Sequence, residues 1–514
     1  MIRGVQLARS IPGAAALALV ALGLNACTTL GPDYQEPEVA WLAGWQTQLY
    51  GQVGSPEEQS ELDLSFWWHL FDDPVLNGLI ESARRENPTL RIAGLRILEA
   101  RALLGIVGSG RYPQLQQATA AAGHVNTRQS GGPNPASEQS FTSYEAGFNL
   151  GWELDFWGRF RRGIESADAA FFATIDNQQD VQVLLSAQVA DLYFAYRTTA
   201  LQIEIARSNS VIQKRSYDIA ELLFQSGENS ELDLQQARTQ YLATVSSIPG
   251  LEITQIQLGN ALAAILGRPP GDLAELDGAS RALPAMDPLL IRGIPGSLLL
   301  RRPDVRAAAR QVAAQSAQIG IAEADLYPAI SLFGTIGWSG DSLAATADTS
   351  TLALGPTVTW NLFDHGRLRN NVRVQDARLQ QAIENYENSV LQAAREIDDA
   401  AIGVVKTREQ RAILVDSVDA ARRSLDIATV RYREGYADFQ RVLDAQRALA
   451  AQQEREILNQ GAHISAVITF YKALGGGWQA MPIDDLLPVP TREAMESRTK
   501  WGDLLRAPLP VAPH

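Results

Sequence analysis

The chain repeats itself, so its fold must be one that two copies of a single unit can build. Blocks of the first half return in the second half, some 215 and others 208 positions later. The change of offset falls between Pro113 and Gly147, where the Gly- and Pro-rich stretch 131–135 lies, and predicts a surface loop that tolerates insertion. The matched residues include Asn87-Pro88 with Arg302-Pro303, Gly147 with Gly355, Trp152 with Trp360, Gly158 with Gly366 and Leu266-Gly267 with Leu474-Gly475.

Each repeat ends in two long helical stretches joined by a glycine turn. Helices are predicted at about 163–225 and 231–266, and again at about 367–432 and 438–474. The outgoing stretches contain no proline and would each be roughly 90 Å long. No single globular core is that deep, and the apolar period near 3.5 to 3.6 is typical of coiled coils. Pro249 predicts a kink or a break in the first returning helix.

Between the helices, each repeat carries two segments with the period-two pattern of strands. They are predicted at about 113–124 and 141–156, and at about 328–338 and 351–363; the first is Ala- and Gln-rich and alternates least clearly. The strand from Tyr144 to Phe156 exceeds the roughly 9–11 residues that cross a bilayer when tilted. A water-soluble sheet packed on helices fits the same alternation, but the depth of the flanking helices favours membrane strands.

The first 26 residues form a predicted signal peptide. Arg3 and Arg9 precede an apolar run at 11–24, and Leu24 to Cys27 resembles a bacterial lipobox with lipid on Cys27, the only cysteine. A chance cysteine is the alternative. Thr28, in place of Asp, is associated in such lipoproteins with sorting to the outer membrane. The remaining sequence has no apolar run for a membrane helix, and mean hydropathy is −0.10, so any crossing requires strands.

Composition excludes several functions. The chain has 44 Lys+Arg and 58 Asp+Glu, for a net charge of −14, which disfavours a nucleic-acid partner. Its five histidines are scattered without metal-ligand spacing, and no glycine-rich phosphate loop opens a helix. We therefore expect no enzyme, no metal and no cofactor other than the lipid. Trp67 and Trp68 are predicted to be core residues, and Arg301-Arg302 to cap a helix or form ion pairs.

These patterns divide the chain into five parts. The signal peptide, 1–26, precedes a lipidated extended arm at 27–64. The first structural repeat covers 65–285 and the second covers 286–478. The C-terminal tail covers 479–514; it is predicted to be disordered or, by the family resemblance described below, part of a periplasmic equatorial domain.

Seven motifs, spread in order over nearly the whole mature chain, resemble the TolC/OprM (NodT-type) outer-membrane efflux lipoproteins. The resemblance implies a homotrimer with an α+β membrane fold: a 12-stranded transmembrane β-barrel continued by a long α-helical barrel. Strand number agrees in requiring assembly, because one chain's four strands fall below the known minimum of about eight; two or three chains would suffice. The motifs are Gly31–Tyr34, Phe66–Pro74, Ile248–Glu252, Leu299–Arg306, Ala322–Pro328, Arg431–Gln446 and Leu474–Trp478.

The resemblance also implies a function. It predicts a passive exit duct for small molecules and drugs, docked to a periplasmic adaptor and an inner-membrane pump, commonly of the resistance-nodulation-division (RND) type. The duct would open at its periplasmic end by untwisting of coiled coils. A type I protein-secretion duct and a purely structural coiled-coil lipoprotein remain alternatives.

Residues at the two glycine turns are expected to act as gate and docking site. Asp444 matches the aspartate of the periplasmic aperture, where three copies would repel one another and attract cations. Gln440 replaces an apolar constriction residue, Arg441 replaces an acid of some relatives, and Tyr432 matches a tyrosine that ties inner to outer coils. For Asp444 the alternative is a solvated helix aspartate, and for Tyr432 plain coiled-coil packing.

The tips themselves match the positions that adaptors grip in this family. These positions are Gly227 and Glu228 in the first repeat and Gly435 and Tyr436 in the second. A helix C-cap alone would also explain both glycines.

Overall fold

The computed structural model describes residues 28–42, 64–129, 137–271, 273–278, 282–284, 296–342 and 349–510. The predicted signal peptide, Cys27, most of the arm and the predicted loop at 131–135 lie outside these ranges. The chain divides into two compact units. Unit 1 comprises Met1–Glu38, Leu98–Ala173 and Ala308–Tyr386, and unit 2 comprises Val39–Ile97, Thr174–Ala307 and Glu387–His514.

The elements follow the predicted repeat of helix, two strands and two helices. After helix α1 (Pro74–Glu86), the first repeat runs α2 (Pro88–Gly108), β1 (Leu115–Gln129), β2 (Ser137–Glu153), α3 (Arg159–Gln225) and α4 (Glu231–Ile265). The second runs α5 (Pro303–Ala324), β3 (Ala329–Gly340), β4 (Thr349–Thr359), α6 (Arg367–Arg433) and α7 (Phe439–Ala473). Two short helices follow, α8 (Ile483–Leu486) and α9 (Val489–Arg498).

Unit 1 contains one antiparallel sheet in the order β1-β2-β3-β4. Each repeat supplies one hairpin, and the hairpins join where β2 pairs with β3, with Gly147 opposite Gly337. Phe148, Ile336 and Leu352 form an apolar row across three strands, and all three are exposed. The described residues do not cover this row.

The core of unit 2 confirms that Trp67 and Trp68 are packing residues. Both are buried, and Trp67 stacks on Tyr471 with ring centroids 5.6 Å apart. Asp73 caps α1 by accepting hydrogen bonds from the Val75 and Leu76 amides. Its second carboxylate oxygen accepts from the Tyr193 hydroxyl at 2.9 Å and from Arg197 at 2.5 Å. This network ties the start of α1 to α3.

Helices α3 and α6 each span 67 residues, about 100 Å at 1.5 Å per residue. Helix α4 continues through Pro249, so of the two predicted outcomes the break is wrong, and the kink stays a prediction. Pro249 and Gly250 are exposed, and solvent can replace the one backbone hydrogen bond that proline removes. None of the described helices contains an apolar stretch long enough to cross a membrane.

Arg302 forms the ion pairs predicted for the Arg301-Arg302 patch. Its guanidinium donates to Asp304 at 2.7 Å, to Glu396 at 2.9 Å and to the Ala473 carbonyl at 2.8 Å. The C-terminal tail folds on unit 2 as far as residue 510, burying Leu486, Leu487, Met495 and Leu505.

Candidate functional site

Two helical turns in unit 2 carry most of the residues that the sequence singled out. We call Leu222–Ala237 the first tip and Arg431–Gln446 the second tip. In each, the glycine has a left-handed backbone, with φ of +79° at Gly227 and +77° at Gly435. This conformation favours glycine, because a side chain would bring its Cβ close to the next carbonyl.

Both tips end their outgoing helix with the same hydrogen-bond pattern. The Gly435 amide donates to the Tyr432 carbonyl at 3.0 Å, and the Tyr436 amide donates to the Arg431 carbonyl at 2.8 Å. In the first tip, the Gly227 and Glu228 amides donate in the same way to Phe224 and Leu223, at 3.0 and 2.9 Å. These are Schellman caps, which satisfy the last carbonyls of a helix.

The returning helices begin with matched N-caps. The Ser230 hydroxyl accepts from the Asp233 amide, and the Asp438 carboxylate accepts from the Arg441 amide, both at 3.2 Å. Serine and aspartate satisfy the free amides of a first helical turn, so each tip reverses direction within a few residues.

The two tips lie side by side and share one apolar cluster. Its buried members are Ala220 and Ala237 from the first hairpin and Phe439, Val442 and Leu443 from the second. Tyr432 packs at its edge, with its ring 5.2 Å from that of Phe439. Burial raises the pKa of the Tyr432 hydroxyl, and the negative charge of Asp233 raises it further. Tyr432 therefore contacts the core of the paired tips.

Asp444 lies on the exposed side of α7 and is held by two neighbours on that helix. The Gln440 side-chain amide donates to its Oδ1 at 2.9 Å, and the Arg447 guanidinium donates to the same oxygen at 3.1 Å. Arg447 also donates from Nε to Gln240 on α4 at 2.7 Å. One arginine thus connects the predicted gate acid to the neighbouring hairpin.

Arg441 forms no ion pair with Asp444 among the described residues. Its side chain is exposed, and its nearest carboxylate is the Asp438 cap at 3.9 Å. The structure therefore brings Asp444 and Gln440 together, leaves Arg441 apart and places Tyr432 in the shared cluster. Gly227, Glu228, Gly435 and Tyr436 are all exposed at the turns, Tyr436 by 82%.

Sequence reasoning missed Arg447 and Gln240. The spacing of Asp444 and Arg447, three positions on a helix, is a visible signal for an ion pair. The partner Gln240 lies 207 positions away, and the hydrogen bond exists only because the tips are adjacent. The described residues contain no group of His, Cys, Asp and Glu side chains able to hold a metal ion. The tips offer charged and amide groups to solvent.

Comparisons with known proteins match nearly the whole chain. A family model for outer membrane efflux proteins matches residues 79–268 and 294–476, one stretch in each repeat. The pyoverdine export outer membrane protein OpmQ of Pseudomonas putida is 31% identical over 474 residues, 92% of this chain and 99% of its own length. The cation efflux system protein CusC of Escherichia coli is 31% identical over 481 residues, covering 90% and 98%.

A solved structure agrees with these sequence matches. The outer-membrane channel OprN superposes on this chain with a TM-score of 0.80 and 34% sequence identity. The superposition covers 88% of this chain and 99% of that channel. The similarity therefore includes both repeats, with their strands and their helical hairpins.

Proposed function

The chain belongs to the outer membrane efflux protein family, and from this premise we propose that it is the exit duct of a tripartite efflux pump. Family membership confirms the resemblance found in the sequence. The protein is located in the cell outer membrane. The observation that carries the proposal is the match over both repeats.

The cargo we propose is small molecules. One relative is named for pyoverdine export and another for cation efflux, although both align over nearly their full lengths. Because relatives of similar sequence are named for such different exported substances, we infer that the duct lets through whatever its pump delivers. Selection would then occur upstream, at an inner-membrane pump, for which we propose the RND type, joined to the duct by a periplasmic adaptor.

We propose a homotrimer with a 12-stranded barrel. The described sheet has β1 and β4 as its edges, and unpaired edges invite pairing with other chains. Three copies of four strands would give twelve, above the minimum of about eight for a membrane barrel. Helix α4 supports association as well, because it exposes several large apolar side chains: Leu232, Leu242, Ile253 and Ile256.

The gate in this proposal is the second tip. With threefold symmetry, Asp444 and Gln440 of each chain would face the axis, and untwisting of the coiled coils would widen the opening. The exposed turn residues Gly227, Glu228, Gly435 and Tyr436 would meet the adaptor. Cys27 would carry the lipid that anchors the arm; Cys27→Ser should abolish labelling by radioactive palmitate, and persisting label would contradict this assignment.

The test expresses the full chain, with a small-molecule adaptor and pump, in cells lacking their own exit duct. Restored efflux of a fluorescent dye is the expected result, with single-channel conductance of the purified protein in planar bilayers. Secretion of a protein substrate with a type I pump, without dye efflux, would favour the secretion duct. Absence of conductance, and of an electrophoretic shift on heating, would indicate a structural lipoprotein instead.

A further inference from the structure

A cleft in unit 2, away from the tips, has the composition of a small-molecule site. It lies between the junction of α1 with α2 and the C-terminal segment 481–489, and its volume is about 390 Å³. Ligand sites in proteins commonly measure about 300–1,000 Å³. We call it the tail cleft. Its wall from α1 and α2 carries Arg84 and Arg91, whereas its wall from the C-terminal segment carries Asp484 and Asp485.

Arg84 is a half-buried cation that no described carboxylate contacts. Its guanidinium donates to the Gln182 side chain at 2.7 Å and lies over the rings of Trp68 and Phe66, at 5.6 and 5.8 Å. Burial lowers the pKa of this arginine, as expected where charge is removed from water without an acid to pair it. An anion in the cleft would supply the missing charge.

Arg91 supplies a second guanidinium group on the same wall. One of its terminal nitrogens donates to the Arg85 carbonyl at 3.1 Å. Its Nε is buried without a hydrogen-bond partner among the described residues and is out of reach of a ligand, so a ligand would bind the terminal nitrogens. Two guanidinium groups on one wall present several N–H donors, which suit a planar carboxylate.

The acidic and apolar residues of the cleft limit which anion can enter. Asp484 pairs with Arg492, and Glu86 pairs with Arg268 at 3.3 Å, so both acids are already neutralised. Asp485 is exposed and forms no ion pair with any described residue. Its negative charge would repel a doubly charged phosphate but attract an ammonium group. Leu90, Leu486 and Val489 add apolar surface for a small aliphatic side chain.

We propose that the tail cleft binds an amino-acid-type zwitterion, such as a short peptide, with its carboxylate at Arg84 and Arg91 and its ammonium at Asp485. The occupant would connect α1 and α2 to the C-terminal segment. This site is independent of the tips and does not require the chain to be an exit duct.

The experiment measures ligand binding to the full-length protein in detergent by isothermal titration calorimetry. Three probes are compared: the dipeptide Ala-Ala, N-acetyl-Ala-Ala without the ammonium, and Ala-Ala amide without the carboxylate. Ala-Ala should bind most tightly, with each altered peptide about tenfold weaker, the effect of one lost charged hydrogen bond. Equal binding of all three, or no binding of Ala-Ala, would overturn the proposal, as would inorganic phosphate binding at least as tightly.

Variants assign the two ends of the ligand. Arg91→Gln should weaken Ala-Ala about tenfold, whereas Arg96→Gln, on the exposed face of the same helix, should leave it unchanged. Asp485→Asn should weaken Ala-Ala but not N-acetyl-Ala-Ala, a difference that general loss of folding cannot produce. If Asp485→Asn weakens both peptides equally, or neither, the ammonium assignment is wrong.

Discussion

The two tips share a backbone and differ in their side chains. Each leaves its long helix through a left-handed glycine with a Schellman cap and starts the returning helix at a capping side chain. In α4, however, only Ala237, Leu262 and Ala263 are buried, whereas α7 has a buried face along its length. The left-handed backbone that requires glycine depends only on the turn itself, so both repeats have glycine there. The surface of each hairpin depends on its neighbours, and there the repeats differ.

Charge separates the tips as well. Glu231 and Asp233 lie in the first turn of α4, whereas α7 has no acid in its first turn and α6 ends with Arg431 and Arg433. Both arrangements suit the helix dipole, with acids at an N-terminus and bases at a C-terminus. Only the second tip carries Asp444, where the first has Gln236.

The largest expected difference is in stability. Leu443→Ala removes a side chain that is 1% exposed at the centre of the shared cluster, and should lower the local opening free energy by about 2–5 kcal/mol. The equivalent residue of the first repeat, Gln235, is exposed, and Gln235→Ala should change it by less than about 0.5 kcal/mol. Hydrogen exchange of the tip amides measures both. Similar values at the two positions would contradict the assignment of the core to the second hairpin.

Unlike Leu443 and Gln235, the two tip glycines should give equal losses of stability when they are replaced. Neither Gly227 nor Gly435 has atoms within 4 Å of an added Cβ, so Gly→Ala at either should cost only the backbone term, about 1–2 kcal/mol. Gly78→Ala, on an exposed helical face with equally open space, should instead be neutral or stabilising. Local hydrogen exchange measures these values. A loss of stability at Gly435 well above that at Gly227 would contradict the open space found around an added Cβ at Gly435.

A smaller effect is expected at Arg447. Its pair with Asp444 is largely exposed, and such pairs contribute about 0.2–1 kcal/mol. Arg447→Gln removes the positive charge beside Asp444, so cation preference over anions in bilayers should rise by about twofold. Arg455→Gln, which removes an equal charge from an exposed position farther along α7, is the matched control and should leave the preference unchanged. A fall in cation preference in Arg447→Gln would show that Asp444 does not face the permeating ions.

Local sequence patterns predicted the helices and strands, but contacts between residues far apart in the chain could not be predicted from the sequence. The repeat offset and the glycines located both turns, because a left-handed backbone position favours glycine and can therefore be recognised from a single residue. Strands β2 and β3 belong to different repeats, and the hydrogen bond from Arg447 to Gln240 spans 207 positions. No local sequence pattern predicts either contact. At Pro249 the local signal predicted a break that did not form, since solvent can replace the one backbone hydrogen bond that proline removes from an exposed helix.

The tail cleft shows the same limit. Arg84 and Arg91 are ordinary helix residues in the sequence, and they become unusual only when the C-terminal segment folds over them. Burial without a carboxylate partner is a property of the folded chain.

In the proposed duct the gate belongs to the second tip alone, which single-channel recording in planar bilayers can establish. Asp444→Ala should change the conductance and lower the cation preference, because it removes one exposed negative charge per chain. Gln236→Ala, the same position of the first repeat, should leave both values at those of the unaltered protein. Unchanged values in Asp444→Ala, or an equal change in Gln236→Ala, would contradict the account.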